Sequence, residues 1–125
     1  MADIVYVIDH DSDMRDLFGA VLKQVGHAVR EFASLDAAEE IAGESPEVLL
    51  VDACLAPEGD IVAFSKVVAE RYPSSDLVYL VDASNSPLKR KLERGRIRHF
   101  ARPFQIEELR DLVSNLLERR STSRR

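Results

Sequence analysis

Three short stretches of this sequence are apolar at every residue: IVYVI (4–8), VLLV (48–51) and LVYLV (77–81). They are too short for ordinary helices and rich in branched side chains. They also lack the apolar–polar alternation of a strand with one wet face. Runs of this kind suit strands covered on both sides, as in a parallel sheet flanked by helices.

The segments between them carry helical spacing. Met14, Leu17, Phe18, Val21, Leu22 and Val25 form one stripe, and Gly26 is placed to stop it. AVREF (28–32) reads as a second strand and LDAAEEIA as a short helix capped from Ser34 or Asp36. IVAFSKVVAERY reads as a third helix, beginning near Asp60 and ending before Pro73. Pro87 suits the first turn of a fourth helix, PLKRKLER, which Gly95 closes. IRHFA makes a fifth strand. In the last helix, IEELRDLVSNLLERR, Ile106, Leu109, Leu112, Val113, Leu116 and Leu117 lie at helical spacing, with acids early and arginines late as the macrodipole favours. The pattern predicts an α/β sandwich of five β–α units in one domain, residues 1–120, with STSRR (121–125) as a disordered tail or the start of a linker.

Composition narrows the setting. The single cysteine, Cys54, cannot form an internal disulfide, and no signal-like segment or long uncharged apolar run is present, so the expected location is cytoplasmic, with no membrane role. Charge is divided along the chain. Through Asn85 there are five Lys/Arg against seventeen Asp/Glu, and from Ser86 onward twelve against five. The basic stretch PLKRKLERGRIRHFAR meets either solvent, an acidic partner surface or a phosphate backbone. A nucleic-acid role ranks last, because no groove-reading element is visible and the acidic first part would repel DNA.

In a parallel α/β sheet the site lies beyond the carboxyl ends of the strands. There the first strand delivers Asp9, His10 and Asp11, the third Asp52, the fourth Asp82, and the fifth Arg102 before Pro103 and Phe104. A phosphate-binding turn would offer glycine, serine or threonine so that backbone amides can approach; the first β–α turn here, DHDSD, is dominated by three carboxylates, which repel a phosphate unless a metal intervenes. Cation or phosphoryl chemistry is favoured over nucleotide binding.

This layout resembles the receiver domain of two-component response regulators. The elements that carry the resemblance are the acidic cluster after the first strand with Arg15 downstream, VLLVD ending in Asp52, VDA with Ala83, and ARPF after the fifth strand. GHAVREFASLDAAEE is similar to the second strand and helix of the regulators allied to nitrogen-fixation and LuxR-type transcription factors. The resemblance covers essentially the whole chain. It implies the CheY-like (flavodoxin-like) fold, with five parallel strands in order 2-1-3-4-5 and five helices. It also implies phosphorylation of Asp52 by a histidine kinase or small phosphodonor, with Mg²⁺ held by Asp9, His10, Asp52 and the Cys54 backbone carbonyl. Asp82 and Arg102 take the places of the hydroxyl residue and lysine that hold the phosphoryl group, and His99 that of the aromatic switch residue. The Arg102–Pro103 peptide bond is then expected to be cis.

Several of these positions depart from the family pattern. His10 stands where a carboxylate normally touches the metal, and a neutral imidazole suits zinc, copper or nickel far better than magnesium. Asp82 can only accept hydrogen bonds when ionised, and so repels a phosphoryl group. Arg102 keeps the lysine's charge on a longer, planar fork that pairs with carboxylates. In DACLAPEGD the proline falls one residue later than usual, which puts the Cys54 carbonyl out of place. The Cys54 thiol, among acids, is expected to stay protonated and unreactive. Arg96 follows Gly95 where a small residue is usual, making the face of the fourth helix and fifth strand more basic. The expectation is that Arg102 bridges Asp52 and Asp82, standing in for metal and phosphate, while Asp9, Asp11, Asp52 and Asp82 crowd and raise one another's pKa values. The preferred reading is an atypical receiver working by protein–protein contact, with weak or absent Mg²⁺ binding and phosphorylation. An ordinary phosphoacceptor is the alternative. Partners would be a histidine kinase or other signalling protein, with a homodimer through the last helix or through the helix 4–strand 5–helix 5 face.

Overall fold

A computed structural model of the chain describes residues 3–41, 43–56 and 60–123. Five strands alternate with five helices: β1 (Ile4–Ile8), α1 (Ser12–Gln24), β2 (Ala28–Phe32), α2 (Leu35–Glu39), β3 (Val48–Asp52), α3 (Ile61–Arg71), β4 (Asp76–Asp82), α4 (Ser86–Arg94), β5 (His99–Arg102) and α5 (Ile106–Ser123). A single 3-10 turn, Ala53–Leu55, follows β3. All pairings are parallel, and the order is β2-β1-β3-β4-β5, as expected.

The unbroken apolar runs are explained by the two faces of the sheet. Val5 and Val7, Val48 and Leu50, and Val78 and Leu80 pack with Phe18 and Leu22 of α1 and Leu109, Val113, Leu116 and Leu117 of α5. The intervening residues Tyr6 and Ile8, Leu49 and Val51, and Tyr79 and Val81 pack on the other face with Leu35, Ile61, Val68 and Leu92 of α2–α4. Successive strand residues point to opposite faces, so a strand between two helical layers must be apolar at both parities.

Local signals start and stop the helices. Asp11 caps α1 by accepting from the amides of Asp13 and Met14, Ser34 caps α2, Asp60 caps α3 and Asn85 caps α4. Phe18 and Leu22 of the α1 stripe are buried, whereas Leu17 and Val25 stay exposed.

Gly95 closes α4 as expected, serving as its C-cap. The left-handed residue is Arg96, at φ 53°, while Gly95 stays right-handed. Gly95 is needed for closeness instead: a Cβ there would lie 3.1 Å from Ile97 Cδ1 and 3.3 Å from the Lys91 carbonyl. The last helix runs further than expected, through Ser123 rather than stopping before Ser121. Arg120 fastens these turns, donating from Nη1 to Asp76 Oδ2 (3.2 Å) and from Nη2 to the Ser74 carbonyl. Among the described residues no helix is long and apolar enough to cross a membrane.

Candidate functional site

The register aligns the carboxyl ends of four strands. Ile8 lies beside Val51, Asp52 beside Leu80, and Asp82 beside Arg102. The residues that follow are therefore delivered to one edge, as the sequence implied.

Asp9 and Asp52 are its buried centre, 1% and 3% exposed. Asp9 is fixed by its own turn: its amide donates to the Phe32 carbonyl (3.1 Å), its Oδ1 accepts from the Asp11 amide (2.9 Å), and its carbonyl accepts from Arg15. Asp52 Oδ1 accepts from the Cys54 amide at 3.0 Å. His10 is 67% exposed along its side chain, yet its Nδ1 reaches inward, 3.0 Å from Asp52 Oδ2 and 3.7 Å from Asp9 Oδ1. Arg102 approaches from β5, its Nη2 3.5 Å from Asp9 Oδ2 and 3.7 Å from Asp52 Oδ1. The two carboxylates thus split their oxygens, one from each toward the imidazole and one from each toward the guanidinium.

Electrostatics follow this arrangement. Burial pushes the Asp9 carboxyl above its ordinary range. The Asp11 amide pulls it back, Asp52 adds to the rise, and Arg102 and His10 oppose it. Burial and the neighbouring Asp52 also raise the Cys54 thiol, so it remains protonated.

The bridge from Arg102 to Asp82 is not formed. Although register partners, the two diverge: Asp82 is exposed, and its Oδ1 accepts from the Ser84 amide (3.0 Å) and hydroxyl (2.8 Å). Those bonds hold its carboxyl below the ordinary range, opposite to the crowding expected. A carboxylate bonding two residues along its own chain forms its turn with little ordering cost, and this contact wins over a longer reach to Arg102. Asp11, spent on capping α1, likewise leaves the cluster. The ion cluster is real, but its members are Asp9, Asp52 and Arg102.

Cys54 lies on the 3-10 turn and contributes its amide to Asp52. Pro57 and the lengthened part of that loop lie outside the described residues. His99 is half-buried on β5, donating from Nδ1 to the Ile97 carbonyl at 2.9 Å. The Arg102–Pro103 bond is cis, as expected. Sequence reasoning missed Ser84 as the partner of Asp82, although Asp-x-Ser after a strand is a turn signal. It noted Arg15 without seeing that it ties Asp9 to α1.

No family model matches the sequence. A curated relative, sporulation initiation phosphotransferase F of Bacillus subtilis (strain 168), is 26% identical over 124 residues, covering 97% of this chain and 98% of that one. A response regulator receiver domain protein (CheY-like) from Methanospirillum hungatei JF-1 superposes with a TM-score of 0.81 at 14% identity, over 98% of this chain and 99% of that one. The chain has the CheY-like receiver fold. NtrX from Brucella abortus matches with a TM-score of 0.80 at 24% identity over 99% of this chain. The chain spans only 28% of NtrX, so the likeness is to one part of that protein and shows the fold alone.

Receiver domains typically use Mg²⁺, and in this chain Asp9, His10 and Asp52 bring one ligand atom each to within 4.8 Å of one another. The trio can gather around a divalent ion. It does not match the all-oxygen shell that Mg²⁺ demands, because one donor is an imidazole nitrogen.

Proposed function

We propose that this receiver signals mainly as a protein-interaction module, with Mg²⁺-dependent phosphorylation of Asp52 weak or absent. The observation that carries the reading is the occupation of the Asp52 carboxylate by the chain's own groups: His10 Nδ1 at 3.0 Å from one oxygen, the Cys54 amide and Arg102 on the other. An incoming phosphoryl group would have to displace the imidazole. It would then find no hydroxyl donor from the Asp82 position, whose carboxylate repels it. An apolar groove adjoins Arg102 between α1 and the β5–α5 turn, about 280 Å³ in volume and lined by Met14, Leu17, Phe104 and Ile106. Such a surface suits a signalling partner such as a histidine kinase, and self-association through α5 or the α4–β5–α5 face belongs to the same reading, as does residence in the cytoplasm.

The second reading, an ordinary phosphoacceptor, is favoured by the burial and position of Asp52 and by the relative whose name is that of a phosphotransferase. Incubation with a small phosphodonor and Mg²⁺, followed by intact-mass measurement, separates the two. The expected result is substoichiometric modification that rises when Arg102→Lys, Asp82→Thr and His10→Asp are combined. Stoichiometric modification of the unmodified sequence, lost in Asp52→Asn, would establish the second reading.

A further inference from the structure

The split of oxygens around Asp9 and Asp52 has a chemical meaning for metal selectivity. The pair facing Arg102, Asp9 Oδ2 and Asp52 Oδ1, is held by the guanidinium at 3.5 and 3.7 Å and by the Cys54 amide. The pair facing inward to His10, Asp9 Oδ1 and Asp52 Oδ2, lies 3.7 and 3.0 Å from Nδ1. Two ligand atoms at ~2.1 Å from one metal are about 3.0 Å apart at a right angle and about 3.4 Å apart at the tetrahedral angle. The two separations from His10 Nδ1 bracket these values, and all three atoms lie within 4.8 Å of one another. Moreover, Asp9 is 1% exposed and its Oδ2 accepts no hydrogen bond, the nearest cation standing beyond hydrogen-bond reach. The buried carboxylate thus has one oxygen bonded to the Asp11 amide and the other without a hydrogen bond, and a cation seated on its Oδ1 side would offset charge that Arg102 only partly meets.

Magnesium is poorly placed to answer. It sheds water reluctantly and is held by oxygen ligands and electrostatic attraction, whereas here one of three ligands is neutral nitrogen and Arg102 offsets one of two negative charges. A borderline ion such as Zn²⁺ gains from the imidazole and depends less on net charge. Arg102 and the Cys54 and Asp11 amides orient the carboxylates in the way that outer partners orient metal ligands elsewhere.

We propose that Asp9, His10 and Asp52 form a site for a borderline divalent transition metal, represented by Zn²⁺, in place of Mg²⁺. The ligands are Asp9 Oδ1, His10 Nδ1 and Asp52 Oδ2, and water fills the open positions. The Nδ1 hydrogen now directed at Asp52 gives way to the metal, the neutral ring keeping its proton on Nε2. Metal then replaces a hydrogen bond with three coordinate bonds and locks the β1–α1 turn to β3. This rests on the reading that the pocket no longer serves Mg²⁺.

The test is titration calorimetry of the whole chain with Zn²⁺ and, separately, Mg²⁺, together with the visible absorption of bound Co²⁺ as a readout of nitrogen ligation. Zn²⁺ is expected at one site per chain, at least about 100-fold tighter than Mg²⁺. His10→Asp should weaken Zn²⁺ and strengthen Mg²⁺, closing the gap by about ten-fold or more, and His27→Gln, remote from the site, should change neither. Circular dichroism of each variant confirms that it is folded, which the exposure of His10 favours. Equal affinity for the two ions, or Zn²⁺ binding that persists in His10→Ala, overturns the site. Stoichiometric Mg²⁺-dependent phosphorylation would instead overturn the reading beneath it, so the two failures are distinct.

Discussion

Both ends of the parallel sheet carry charged groups and treat them differently. At the amino end, the Ile4 amide donates to Glu47 (2.6 Å), Tyr6 Oη to Glu44 (2.8 Å), and Arg120 to Asp76 (3.2 Å), with Arg98 also near Asp76. At the carboxyl end, Arg102 stands 3.5 Å and 3.7 Å from its two carboxylates, and Asp9 Oδ2 and Arg102 Nε find no hydrogen-bond partner. The first end is closed by short, directional bonds that fasten strands to loops. The second fixes its carboxylates with local amides and His10 but holds the Arg102 cation by attraction at longer range, which leaves the geometry open to a further ligand. Arg120 Nε at the amino end also finds no hydrogen-bond partner, but among the described residues only at the carboxyl end is a buried carboxylate oxygen, Asp9 Oδ2, left with nothing but a distant cation.

Substitutions at each end test the contrast. Removing the cation at the carboxyl end should cost most: Arg102→Ala leaves two buried carboxylates facing each other, and chemical denaturation should show a loss of about 3 kcal/mol. Adding Asp9→Asn should recover part of it, because one of the opposed charges is then gone; a double variant no more stable than Arg102→Ala would show that the carboxylates are not opposed. At the amino end a single bond is at stake. Tyr6→Phe removes the donor to Glu44 without opening a cavity, for an expected loss of about 1 kcal/mol by the same measurement.

The smallest effect at neutral pH concerns alkali. Burial raises the Tyr6, Tyr72 and Tyr79 phenols above their ordinary value, and Glu44 adds to the rise at Tyr6. The folded state therefore holds these protons more tightly than the unfolded chain does. Their contribution is complete below about pH 10, the ordinary phenol value, and falls as pH rises beyond it. Melting temperature should drop across that range, and should drop less steeply in Tyr6→Phe.

Much of the fold was legible because its physics is periodic. The runs at 4–8, 48–51 and 77–81 could be satisfied only between two layers, and the stripes of α1 and α5 supply one of them. At the site, Asp9, His10, Asp52 and Arg102 were readable because each directly follows a strand or ends one, and parallel register brings strand ends together. Asp82 met the same criterion and misled, because a hydroxyl two residues away captured its carboxylate. Asp11 likewise belongs to its helix. Position on a strand fixes where a backbone arrives, whereas competition among nearby donors decides where a short polar side chain goes. That competition is invisible to periodicity. The same limit applies to Arg96, whose left-handed backbone no sequence period announces.

The opposed parities of the strands make the molecule sensitive to phase rather than to length. Loops between strands and helices can gain or lose a residue with modest consequence, but one residue deleted within Val48–Val51 would exchange the two sets of contacts made by β3. Both layers would still meet hydrocarbon, so the sheet itself could survive the slip. Asp52, however, would rotate away from His10 and Arg102, and the chain would keep its architecture while losing the chemistry that the architecture exists to present.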